Sequence, residues 1–105
     1  MKPDVAFKIL NDCISNSTLN EFFKNIEFHP VCSKFPNSIV ASFENNMAGG
    51  EIIVYLNPEQ SYCEYEFLIS ENEKFITEYN EFNSSDDLEE NIHRYIKIMI
   101  KELSV

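Results

Sequence analysis

Apolar residues near the start of the chain recur at helical spacing, as Val5, Ile9, Leu10, Cys13 and Ile14. Pro3 suits the first turn of such a helix, where a missing N–H loses no partner. The stripe drops out of phase at Ser15, Asn16 and Ser17, then resumes as Leu19, Phe22, Phe23 and Ile26. Thr18 followed three residues later by Glu21 has the form of a capping box. The pattern predicts an N-terminal helix, kinked or split near Ser17. Two proline pairs, His29-Pro30 and Phe35-Pro36, then bracket an extended or irregular segment, because residues ahead of proline are pushed out of the helical region.

From Ser38 the period becomes two. Four strands are predicted, over residues 38–44, 51–57, 62–70 and 74–80, separated by a loop ending in Gly49-Gly50, by Asn57-Pro58 and by the polar turn at Glu71, Asn72 and Glu73. None of these connections has room for a crossover helix, so the strands form an antiparallel meander. Helical spacing returns with Leu88, Ile92, Tyr95, Ile96, Met99, Ile100 and Leu103. Ser84 or Ser85 caps this last helix, acids occupy its first turn, and Glu90 and Arg94 stand at i, i+4. The expected fold is α+β, a four-stranded antiparallel meander with an N-terminal and a C-terminal helix packed on one face. Alternation puts Ile39, Ala41, Phe43, Ile52, Val54, Leu56, Cys63, Tyr65, Phe67, Ile69, Phe75 and Tyr79 toward the helices. It leaves Ser42, Glu44, Ile53, Tyr55, Tyr62, Glu64, Glu66, Ile76 and Glu78 on an open face.

Length then bounds the domain count. The 105 residues fit one domain, 1–105, since two cores could not both bury enough apolar surface. The opening Met1, Lys2, Pro3 and Asp4 carry no apolar run behind a basic region, and no stretch approaches a membrane span. Three cysteines at wide spacings, Cys13, Cys32 and Cys63, make no disulfide framework. The expected compartment is the cytoplasm.

Charge changes the picture most. The net charge is -10, and between Glu44 and Glu90 thirteen acids face a single base, Lys74. Such a field repels phosphate backbones and anionic membranes and attracts basic proteins. Tyrosines beside carboxylates suit a protein interface, because the ring anchors the contact while the acid meets lysine or arginine. The candidate partner-binding residues are Glu44, Tyr55, Tyr62, Glu64, Glu66 and Glu78, with Asp86 and Asp87 at the last helix start.

Candidate chemistry is sparse. Glu64 and Glu66 share a strand face, but acid/base work needs one carboxyl in an apolar pocket, which neither neighbourhood promises. His29 and Cys32 have zinc-like spacing, yet the other ligand types, Cys13, Cys63 and His93, are scattered along the chain. A Cys32–His93 nucleophilic pair has no flanking signature. No phosphate loop, dinucleotide fingerprint or nucleophile elbow is present. The expectation is a monomeric protein with no catalytic residues, no metal and no cofactor.

Residues 38–44, 50–56 and 62–67, with the closing helix over 86–103, resemble the immunity proteins of contact-dependent growth inhibition and other polymorphic toxin systems. A strand opening on Gly50-Glu51, followed by an acidic-aromatic strand, is similar to those of such proteins. The resemblance implies a cognate basic toxin, a nuclease such as an RNase acting on transfer RNA, neutralised by covering its active or substrate-binding surface. The alternative from composition and size is a small acidic secretion chaperone that binds an effector protein.

Overall fold

The computed structural model describes residues 1–29 and 37–104. The proline-bracketed segment, with Cys32, lies outside the described residues. The element order is α1 (Pro3–Ser15), α2 (Leu19–Phe22), β1 (Ile26–His29), β2 (Ser38–Glu44), β3 (Ala48–Tyr55), β4 (Ser61–Ile69), β5 (Lys74–Phe82) and α3 (Ser85–Leu103). The strands form one antiparallel sheet in the order β1-β2-β3-β4-β5. No helix among the described residues is long and apolar enough to cross a membrane.

The four-stranded expectation is therefore corrected to five. The extra strand, β1, pairs Ile26 with Phe43 and His29 with Val40. Ile26 satisfied the helical stripe, but α2 ends at Phe22 and Phe23 is already extended, with φ -123°. Ile26 and Phe28 then alternate toward the core while Glu27 and His29 face out. Over so few residues a period of two and the tail of a helical stripe contain the same apolar positions.

The break between α1 and α2 is made by Ser17 and Asn20 rather than by a Thr18 capping box. Ser17 Oγ donates to the Ile14 carbonyl at 2.7 Å and accepts from the Leu19 N–H at 3.3 Å. Asn20 Nδ2 donates to the same Ile14 carbonyl at 3.0 Å. Thr18 makes no side-chain cap. At α3 the capping residue is Ser84, whose Oγ accepts from the Asp87 N–H at 3.2 Å.

Both long helices cover one side of the sheet. Ala6, Leu10, Cys13 and Ile14 of α1 and Leu88, Ile92, Tyr95, Ile96 and Met99 of α3 join the inward residues of β2 to β5 in one buried cluster. Phe23, Phe43 and Phe67 pack at its centre, with ring centroids 4.9 Å apart for Phe23 and Phe43 and 6.3 Å for Phe43 and Phe67.

The fifth strand reverses the expected alternation. Its register sets Asn80 opposite Cys63, Glu78 opposite Tyr65 and Ile76 opposite Phe67, all helix-side. Phe75 and Tyr79, expected in the core, are 56% and 53% exposed on the other face. The inward polar groups are satisfied by α3. Arg94 bonds Glu78 through Nε at 3.1 Å and through Nη2, and donates from Nη2 to Asn80 Oδ1 at 2.9 Å. Tyr95 Oη lies 2.7 Å from Asn80 Oδ1 and 3.1 Å from the Cys63 carbonyl. Arg94 thus reaches across to the sheet instead of serving as the expected i, i+4 partner of Glu90.

Strand β3 also starts earlier than expected, at Ala48, and runs through Gly49 and Gly50. A Cβ on Gly50 would sit 2.2 Å from the Glu66 carbonyl oxygen and 3.1 Å from Phe67 Cα. Backbone cannot rotate aside, so Gly50→Ala forces β3 and β4 apart. It is expected to cost about 2 kcal/mol or more, within the range for overpacking. Gly49→Ala, which meets the Glu44 side chain at 3.2 Å, should cost less. Urea denaturation midpoints of the two variants check the order.

Candidate functional site

The side of the sheet away from the helices is an acidic face with an aromatic stripe. The pairings bring Glu27, Glu44, Glu51, Glu64, Glu66 and Glu81 onto it. No Lys or Arg among the described residues shares it. Tyr55 and Tyr62 are directly opposed and stacked, with centroids 4.3 Å apart, and Tyr79 lies 4.8 Å beyond Tyr62. Tyr55 Oη donates to Glu64 Oε1 at 2.9 Å. Burial, then this bond to a carboxylate, holds the Tyr55 hydroxyl well above the ordinary tyrosine value, so it stays a donor.

Toward the other end of the face runs a groove of about 790 Å³. Glu27, Glu44, Glu51 and Glu66 contribute its carboxylates, and Leu68 and Phe75 its apolar wall. Leu68 and Phe75 are directly opposed across β4 and β5, and are 47% and 56% exposed. Carboxylates around an apolar wall accept a long cationic side chain, whose stem and head need different surroundings.

Five of the eight sequence-selected residues, Glu44, Tyr55, Tyr62, Glu64 and Glu66, come together on this face. Three do not. Glu78 points to the helix side and is engaged by Arg94. Asp86 and Asp87 open α3, in the layer covering the opposite side, where Asp87 Oδ2 accepts from the Asn83 N–H at 3.4 Å. Sequence reasoning missed Glu27, Glu51, Glu81, Tyr79, Leu68 and Phe75. Tyr79 and Phe75 were hidden by the inverted alternation of β5, and Glu27 by the unrecognised first strand.

Glu64 and Glu66 do share a face, as the alternation requires. Glu66 is exposed and Glu64 is engaged by Tyr55, so neither sits in the dry pocket that a carboxyl acid catalyst uses.

A second cluster lies between α1 and α3. Cys13 and His93, separated by 80 positions, meet with Sγ 3.7 Å from Nε2. Glu89, one turn before His93, places Oε1 3.6 Å from the same nitrogen. The expectation that these ligand types are scattered is thereby corrected: the i, i+4 spacing of Glu89 and His93 was legible, but not which face of α1 packs beside them. Burial, then the charges of Glu89 and Asp12, push the Cys13 thiol up to about 11. That disfavours the thiolate and argues against a poised nucleophile. Both contacts also run to one imidazole nitrogen, whereas an oriented base uses its two nitrogens separately.

The raised groups set an alkaline limit. Folding holds protons on Cys13, Cys63, Tyr55 and Tyr95 above their ordinary values of 9.0 for the thiols and 10.0 for the phenols. Above those values the unfolded chain sheds protons that the folded chain keeps, so the unfolded state binds fewer and stability falls as pH rises. Urea midpoints should decline from about pH 9 upward. Tyr95→Phe should make the decline shallower, even where it lowers stability at neutral pH.

No protein-family model, curated protein or solved structure matches the chain.

Proposed function

We propose that the chain binds and neutralises a basic protein through its open sheet face, as an immunity protein covers a bacterial toxin. One observation carries the reading: six glutamates and a three-tyrosine stripe share a face that has no Lys or Arg among the described residues. Off this face Glu78 pairs with Arg94 and Glu102 with Lys74 at 2.7 Å, whereas on it Glu27 has only His29, 3.7 Å away.

Nucleases fit this face best, because they already carry surface cations arranged for phosphate. Glu27, Glu44, Glu51 and Glu66 around the groove would take lysine or arginine ends, and the field would speed encounter. Tyr55, Tyr62 and Tyr79 would supply packed anchors, since stacked rings lose little freedom on binding. The mechanism is steric and electrostatic: the face occupies the toxin's substrate-binding cations and excludes its nucleic acid.

The test places a photo-crosslinking residue at Leu68 in producing cells and identifies what is captured. A basic protein is expected. Glu64→Lys with Glu66→Lys should weaken its binding by roughly 100-fold or more, since like-charge juxtaposition costs several kcal/mol. Glu90→Lys, on the helix layer, should leave affinity nearly unchanged. An acidic captured partner, or an affinity indifferent to the two reversals, would overturn the assignment of this face.

A further inference from the structure

We infer that Cys13, Glu89 and His93 form a binding site for a zinc-class divalent cation, clipping α1 to α3. Cys13 Sγ and His93 Nε2 are 3.7 Å apart, His93 Nε2 and Glu89 Oε1 are 3.6 Å apart, and all three donor atoms lie within 4.8 Å of one another. Tetrahedral zinc bonds of ordinary length separate sulfur from nitrogen by about 3.6 Å and nitrogen from oxygen by about 3.4 Å. The donor atoms therefore stand within a few tenths of an ångström of two of the required spacings.

The donor set selects the ion. A sulfur, an imidazole and a carboxylate suit Zn²⁺ or Co²⁺, whereas Mg²⁺ and Ca²⁺ prefer oxygen throughout. Convergence on a single nitrogen, which weakens a catalytic-triad reading, is what a shared cation requires. The positive charge of the ion expels the thiol proton to solvent, so Cys13 binds as thiolate.

Access and support are also built in. Cys13 is 4% exposed, while the side chains of His93 and Glu89 are 56% and 55% exposed. They line a groove of about 830 Å³ with Ser17, Thr18 and Asp86, which gives an ion a way in and leaves a fourth position for water. Glu89 and His93 are one turn apart on a single helix, the spacing by which two side chains reach one metal from the same face. The site lies in the helix layer, so it is independent of the open sheet face and of the partner proposed for it.

The experiment is a Co²⁺ titration of the full chain under reducing conditions after chelator treatment. One ion per chain is expected, with the near-ultraviolet sulfur-to-cobalt band and the visible bands of a tetrahedral ion, both removed by Zn²⁺. His93→Gln, at an exposed position, should keep the native circular dichroism. It should weaken Zn²⁺ binding by roughly 100-fold or more, beyond what losing even a supporting partner costs. Cys13→Ala should abolish the sulfur band and Cys32→Ser should preserve it. Zn²⁺ should raise the melting temperature of the parent chain and not that of His93→Gln. A missing sulfur band, a band that survives Cys13→Ala, or one lost with Cys32→Ser overturns the assignment.

Discussion

Every strand has two faces, and only one side of this sheet is covered by helices. That constraint decides the rest. Inward positions on β2, β3 and β4 are apolar because α1 and α3 close over them, and all of Ile39, Ala41, Phe43, Ile52, Val54, Cys63, Tyr65 and Phe67 are buried. Outward positions lie off this helix-covered core and several carry charge, although Ser38, Val40 and Ile53 are buried on that side too. The acids do not line this side by accident of composition: the period of two places each glutamate of β4 between residues of the core.

Strand β5 tests the rule at its margin. It lies at the sheet edge, and its inward residues include Glu78 and Asn80. Half-buried as they are, such groups cost free energy if left without partners. Arg94 and Tyr95 on α3 satisfy both, and in doing so fix the lateral position of the helix over the sheet. The polar contacts therefore set register between layers, while the buried apolar cluster of both helices and the sheet supplies the burial.

Much of this arrangement is legible in the amino-acid order alone. The strand β2 matches its predicted span of 38–44, and the last helix is plain from its apolar stripe and its capping serine. The faces of β2, β3 and β4 follow from alternation, and with them five of the eight candidate interface residues. Three features are not legible in this way. β1 is too short for its period to stand out from the helical stripe that precedes it. β5 misleads because Phe75 and Tyr79 have the look of core residues, whereas half-buried Glu78 and Asn80 face the helices with Arg94 and Tyr95 as partners. The meeting of Cys13 with His93 depends on how two helices pack, a long-range fact that no local spacing encodes.

Gly49 gives the acidic groove a particular character. It faces outward between Glu44 on β2 and Leu68 on β4, and any Cβ there would crowd Glu44 at 3.2 Å. The hollow is thus partly made of a carbon atom that is not there, within a paired strand. No rotamer can swing across to fill that part of the floor, and none has to swing away. A partner of the kind proposed would find no Gly49 side chain to rearrange, so none of its binding energy would go to ordering one there.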